Sequence, residues 1–145
     1  MPSLDNMMLR QIIMDHYENP RNRELVEDDS YKKVNMDSET CIDNIDIQAK
    51  IEDGVIKDIR FDGEACAICT SSTSIMTELL IGKTIDEARV IIENYMNMIF
   101  EKDYDPEMLE EAIAFYNTHK QANRIKCATL GWKGITQLID ESEKE

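Results

Sequence analysis

Asn44-Ile-Asp-Ile-Gln-Ala-Lys-Ile-Glu-Asp-Gly-Val55 decides the fold. Ile45, Ile47, Ala49 and Ile51 alternate with polar residues, the period of a strand with one buried face. Asp53-Gly54 supplies the positive φ angles of a tight hairpin turn. A returning strand is expected through Val55 to Phe61, with imperfect alternation around Ile56. Upstream, residues 21–40 are polar and turn-rich, with a short strand expected near Tyr31 to Val34. Downstream, Gly63-Glu64-Ala65 lead into an apolar-periodic helix from about Cys66 to Leu80, stopped by Gly82.

Further helices flank this core. Leu9, Ile12, Ile13 and Tyr17 keep the i, i+3, i+4 rhythm of a helix face, starting near Asp5 and ending at Asn19-Pro20. Thr84-Ile-Asp-Glu87 is a capping box, so a helix is expected from there to about Phe100. Asp105-Pro106 reads as N-cap and first helical position of another. A last helix is expected after Cys127, through Leu130, Ile135, Leu138 and Ile139. Gly131 and Gly134 weaken it by about 1 kcal/mol each relative to Ala. The order predicts an α+β fold: an N-terminal helix, a small antiparallel sheet of about three strands, and C-terminal helices packed on one face. The βαβ alternation of a doubly wound fold is missing.

Composition bounds the function. The chain of 145 residues fits one domain over 1–145, and 32% charged with 42% hydrophobic residues is a globular balance. A formal net charge of −14 argues against nucleic acid, whose phosphates call for clustered Lys and Arg. It favours docking to basic protein surfaces. No segment approaches the roughly 18 uninterrupted apolar residues of a membrane span. The opening residues lack a basic stretch followed by an apolar one, so a cytoplasmic protein is expected. In that compartment cysteines bind metal or do chemistry more often than they form structural disulfides. The acidic stretch 140–145 reads as a fraying end.

Cysteines stand at 41, 66, 69 and 127. Cys41, Asp43, Cys66 and Cys127 make a three-thiol, one-carboxylate set that suits a tetrahedral Zn²⁺. All fall at expected element boundaries, where residues from distant parts of a chain can converge at one end of a domain. A helix N-terminus also favours the thiolate. The alternative for Cys41 and Cys127 is ordinary burial of a small apolar residue. Cys66-Ala-Ile-Cys69 is a bare CxxC and invites a redox reading. The βαβ context of a redox pair is absent, and none of Pro2, Pro20 and Pro106 is placed to oppose it. Cys69 reads as a packed small residue. His16 reads as a surface or packing residue, and His119 has no evident partner in the sequence. Spacing alone leaves metal binding, sulfur chemistry and plain burial open.

With these residues in hand, the chain resembles the iron–sulfur assembly proteins of the SufU/IscU type, akin to the N-terminal domain of NifU. The resemblance runs over nearly the whole chain. It rests on Arg10-Gln-Ile-Ile-Met-Asp-His-Tyr-Glu-Asn-Pro-Arg-Asn22, Cys41-x-Asp43, Phe61-x-Gly-Glu-x-Cys66 with Ser72-x-Ser74, and Arg124-Ile-Lys-Cys127-Ala-Thr-Leu130. Lys126 stands where IscU-like scaffolds carry His, and residues from about 83 to 119 look like the helical insertion of the SufU branch. Arg124 and Trp132 match that branch too. The resemblance implies Zn²⁺ on Cys41, Asp43, Cys66 and Cys127. It also implies a cysteine desulfurase (SufS-like) as sulfur donor, Cys41 as persulfide acceptor, and downstream cluster scaffold or acceptor proteins as clients. Its alternative is a scaffold assembling a [2Fe–2S] cluster on the same thiolates. A third reading, from another class, is a non-catalytic zinc-stabilised interaction domain. Ile42 stands where the family usually has Gly, and Cys69 where it usually has Ser.

Overall fold

The computed structural model describes residues 6–38 and 42–144. Helix α1 spans Asn6–Glu18, and strands β1 (Lys32–Asp37), β2 (Asn44–Glu52) and β3 (Val55–Glu64) follow. Then come helices α2 (Ala67–Leu80), α3 (Ile85–Ile99) and α4 (Ala122–Lys144). The strands form one antiparallel sheet in the order β1-β2-β3. The fold is α+β, as the order of elements predicted.

The hairpin forms where Asp53 and Gly54 both take positive φ, 55° and 73°. Ile45, Ile47 and Ala49 of β2 face inward together with Ile56, Ile59 and Phe61 of β3, all buried. A register irregularity at Lys50/Ile51 pairs Lys50 with Asp58 but Ile51 with Ile56. The extra residue in β3 turns Ile56 and Ile59 to the same side, which accounts for the broken alternation. Each such Ile contributes about 1.5–3 kcal/mol by leaving water.

Helix α2 forms from AICTSSTSIMTELL, a run of small hydroxyl residues with modest helix propensity. Burial overrides propensity here. Several hydroxyls bond back to the helix carbonyls, Ser71 to Ala67 at 2.7 Å and Thr77 to Ser74 at 2.7 Å. The small side chains let α1 and α4 pack on either side of α2, while α2 and α4 lie against the sheet and α3 lies against α4. Helix α1 buries Leu9 and His16 rather than Tyr17, which is 46% exposed. Asp5, the expected start of α1, lies outside the described residues.

Three expectations shift. The strand expected near Tyr31 to Val34 is β1 at Lys32–Asp37, one residue later at its start and three longer at its far end. Asp105-Pro106 opens not an α-helix but a chain of 3₁₀ turns, Pro106–Met108, Glu110–Phe115 and Thr118–Lys120. Asp105 still caps it, accepting from the Glu107 N–H at 3.0 Å. Helix α4 begins at Ala122, so Cys127 sits in its second turn rather than at its start. The signal at Thr84 holds: Thr84 and Glu87 form the reciprocal capping box, with bonds of 3.0 and 3.1 Å.

Candidate metal centre

The site is built at one end of the sheet. Asp43 immediately precedes β2, and its carbonyl accepts from the Ser38 N–H at 2.9 Å, closing the end of the β1–β2 connection. Asp43 is fully buried while its neighbour Ile42 is 68% exposed, so the chain turns the carboxylate inward and the apolar side chain outward. Gly63, at φ +134°, lets β3 pass Asn44 here; a Cβ would meet the Asn44 carbonyl oxygen at 2.3 Å. Two residues beyond the end of β3 comes Cys66, the N-cap of α2, whose sulfur accepts from the Cys69 N–H at 3.4 Å.

Asp43 and Cys66 are tied directly. The Cys66 N–H donates to Asp43 Oδ1 at 2.7 Å, and Cys66 Sγ lies 3.7 Å from Asp43 Oδ2. Cys127, 6% exposed, completes the group from the second turn of α4. One ligand atom from each of Asp43, Cys66 and Cys127 lies within 4.8 Å of the others. A tetrahedral Zn²⁺ with bonds of about 2.3 Å to sulfur and 2.0 Å to oxygen sets an S···O edge of about 3.5 Å. The Cys66–Asp43 separation matches that edge. A fully buried carboxylate beside two sulfurs also calls for a compensating cation. The donor set therefore fits a thiophilic divalent metal.

Cys41 lies outside the described residues. No disulfide joins Cys66, Cys69 and Cys127 to one another. Cys69 is completely buried in the core cluster, in keeping with a packed residue. Lys126 lies on the exposed face of α4 and, with Met36, Asp37, Ser38, Leu130 and Lys133, lines a groove of about 250 Å³ next to the site. Two lysines on the rim thus put positive charge there, on a chain of net charge −14.

The site rests on a buried polar junction of α2, α3 and α4. Ser72 Oγ donates to the Ala128 carbonyl at 2.6 Å and accepts from Trp132 Nε1 at 3.0 Å. Tyr95 OH also reaches the Ala128 carbonyl, at 2.7 Å, and its ring stacks on Trp132 with centroids 3.8 Å apart. Burial pushes the Tyr95 hydroxyl far above its ordinary value, so it stays a donor throughout the working range. Ala128 follows Cys127, so this junction fixes the turn of α4 that carries the thiol.

His16 is a packing residue, one of the two roles expected of it, whereas His119 has partners that the sequence did not show. His16 is completely buried, with Nδ1 at 2.8 Å from Ser74 Oγ and Nε2 at 3.3 Å from Glu111 Oε1. His119 finds the Tyr116 carbonyl at 3.0 Å and Glu101 at 3.5 Å. Sequence reasoning missed both sets of contacts, because the partners of His16 come from α2 and from the 3₁₀ segment.

A small α+β domain with a buried carboxylate between two thiols at one end of a three-stranded sheet defines a class of metal- or sulfur-handling proteins. The chain belongs to the family of the NifU-like N terminal domain, whose model matches residues 8–141. It is 36% identical, over 94% of its length and 92% of the relative's, to the zinc-dependent sulfurtransferase SufU of Bacillus subtilis. It is 30% identical, over 94% of its length and 86% of the relative's, to the iron–sulfur cluster assembly scaffold protein IscU of Streptococcus pyogenes. Among solved structures, one described as an iron–sulfur cluster assembly scaffold protein for the SUF system of Fervidobacterium islandicum AW-1 superimposes with a TM-score of 0.79. That chain is 30% identical and the match covers 87% of this chain and 92% of the other.

Proposed function

We propose that the protein is a zinc-dependent sulfur acceptor in iron–sulfur cluster assembly, receiving persulfide sulfur from a cysteine desulfurase in the cytoplasm. The observation that carries this reading is the convergence of Asp43, Cys66 and Cys127 from three separate elements. Cys41, two residues before Asp43, is proposed as the fourth ligand and as the acceptor. Bound zinc would hold these thiols deprotonated and ordered. Once free of the metal, the Cys41 thiolate attacks the outer sulfur of the desulfurase persulfide. The desulfurase S–S bond breaks, its thiolate leaves, and a Cys41 persulfide forms. Residues 83–119, which hold α3 and the 3₁₀ turns, are proposed to be the insertion of the SufU branch within one domain over 1–145.

Support comes from the identity to a zinc-dependent sulfurtransferase over nearly the full length of both chains, and from Lys126 before Cys127. A second reading, a scaffold for a [2Fe–2S] cluster on the same thiolates, draws on the IscU relative and on the affinity of Cys thiolates for such clusters. The test is metal content of aerobically purified protein, followed by desulfurase turnover with and without it. Stoichiometric zinc and stimulated turnover, lost in Cys41→Ala, are expected. Iron and sulfide in a brown protein would establish the scaffold instead. Zinc with no effect on turnover would leave an interaction domain.

A further inference from the structure

Away from the cysteines, three side chains with metal-ligating atoms converge where α1, α2 and the 3₁₀ segment meet. His16 Nε2 lies 3.3 Å from Glu111 Oε1 and 3.8 Å from Glu78 Oε1, and all three ligand atoms fit within 4.8 Å. A tetrahedral cation with bonds of about 2.0–2.1 Å to nitrogen and oxygen sets edges of about 3.3 Å. The His16–Glu111 separation already equals that edge, and Glu78 Oε1 stands about half an ångström outside it as measured from Nε2, so Glu78 must move inward. Its side chain is 47% exposed and can make that movement.

The imidazole is built as a ligand would be. It is fully buried, and its Nδ1 is held by Ser74 Oγ at 2.8 Å, leaving Nε2 directed at the two carboxylates. With the proton on Nδ1 and donated to Ser74 Oγ, Nε2 is left free to bind, the outer-shell arrangement that orients metal-bound histidines. Ser74 is itself fixed by the Arg21 N–H at 2.8 Å. The carboxylates open on a cleft of about 220 Å³ lined by Ile75, Glu78, Leu79, Glu110 and Glu111, which gives solvent and ions access. The competing cation is Arg21, whose guanidinium lies 3.6 Å from Glu78. It also holds Asp15, at 2.7 Å, so it keeps a carboxylate when Glu78 turns away.

We infer that His16, Glu78 and Glu111 form a second divalent-cation site, with one nitrogen and two carboxylate donors. Its chemistry differs from that of the cysteine site. Thiolates select soft and borderline metals, whereas a histidine with two carboxylates takes first-row divalent ions such as Fe²⁺, Co²⁺ and Zn²⁺. Two sites of different softness let one chain hold one metal on sulfur and a second on nitrogen and oxygen. The remaining positions of the second ion stay open to water from the cleft.

The test uses zinc-loaded full-length protein, so that the cysteine site is filled and its metal counted first. Co²⁺ is then added and followed by equilibrium dialysis and visible absorption. One further equivalent is expected, with d–d bands and no sulfur-to-cobalt charge transfer. Glu111→Gln and Glu78→Gln, both at half-exposed positions, should each weaken it at least tenfold, while Glu110→Gln should not. In imidazole-labelled protein, a second equivalent of Zn²⁺ should shift the His16 ring resonances and spare those of His119. Unaltered affinity in Glu111→Gln, a still His16 ring, or a thiolate charge-transfer band as the only response would overturn the assignment. Loss of zinc from the cysteine site would show separately in the first equivalent.

Discussion

Asp43 combines two roles in one side chain, and substitutions separate them. One oxygen accepts the Cys66 N–H and the other faces the Cys66 sulfur. Asp43→Asn keeps an acceptor for the N–H but removes the charge, while Asp43→Ala removes both. Zinc affinity, measured by chelator competition, should fall at least tenfold in both variants. Metal-free stability in urea should fall mainly in Asp43→Ala, by about 1–3 kcal/mol, the cost of an unmet buried donor. Cys69 gives the opposite contrast. It is completely buried within the core cluster. Cys69→Ala should therefore lower stability modestly and leave the zinc stoichiometry unchanged; loss of metal in that variant would make it a ligand. Tyr31 shows a pH-dependent residue far from the site. Burial pushes the Asp58 carboxyl up, but hydrogen bonds from Tyr31 and Arg60 and the Arg60 charge outweigh that and hold it below its ordinary value. The hydrogen bond to Asp58, with burial and the Asp58 charge, holds the Tyr31 hydroxyl above its ordinary value. A depressed carboxyl stabilises above its unfolded pKa and loses that contribution as pH falls through the folded one. A raised phenol stabilises below its unfolded pKa and loses it as pH rises through the folded one. Tyr31→Phe should thus cost about 1–2 kcal/mol at neutral pH, reduced by partial exposure, and the difference should shrink both in acid and in strong alkali. Urea titrations of both proteins across pH check this.

Helix α4 shows what an element's sequence states and what it withholds. Gly131 and Gly134 read as weak points when only helix propensity is considered. Their use is lateral: a Cβ on Gly131 would meet Thr73 Oγ1 at 2.5 Å, and one on Gly134 would meet Ile47 and Met36 at 2.9 Å. These glycines let α4 approach α2 on one side and the sheet on the other. Gly131→Ala should therefore destabilise by about 1–3 kcal/mol despite its gain in propensity. Thr73→Ala should recover part of the loss in the double variant, as thermal melts of the four proteins would show. A stabilised Gly131→Ala would mean that α4 shifts freely. The same contrast runs through the other elements. The β2–β3 hairpin and the capping box at Thr84 were legible because each is specified by neighbours in the chain, and the helix around residues 67–80 because its apolar period shows despite its modest propensity. The start of α4 was not, since residues 122–126 (Ala-Asn-Arg-Ile-Lys) are too few and too mixed to show an apolar period and become helical through the packing of the residues after them. The 3₁₀ run after Asp105 was also hidden, because a cap and a proline open a 3₁₀ turn and an α-helix alike.

At the scale of the whole molecule, the candidate site divides along a similar line. Asp43, Cys66 and Cys127 could be proposed from residue chemistry and motif, because thiols with a carboxylate are a donor set that a divalent metal takes, although Cys127 lies inside α4 rather than at an element boundary. The His16 cluster could not, since Ser74 and Glu111 lie 58 and 95 positions away. Nothing local to His16 distinguishes it from a packing histidine. The cysteine site also has a mechanical consequence, because its described residues belong to three elements that converge on it: the entrance of β2, the N-cap of α2 and the second turn of α4. A metal bound there links these elements and stabilises the folded state by mass action, by about 4 kcal/mol when free zinc exceeds its Kd a thousandfold. Removal by a chelator should accordingly lower the melting temperature and make it depend on zinc concentration. Hydrogen exchange should report where the loss falls. Protection is expected to drop around Asp43, at the first turn of α2 and near Cys127, while the Asp53-Gly54 hairpin and α3 keep theirs. A uniform loss across the chain would mean that the metal holds the entire fold, as in small zinc modules, and no loss would mean that these thiols hold no structural ion. The core of Ile47, Ile56, Phe61, Trp132 and Ile135, all fully buried, argues for the local outcome.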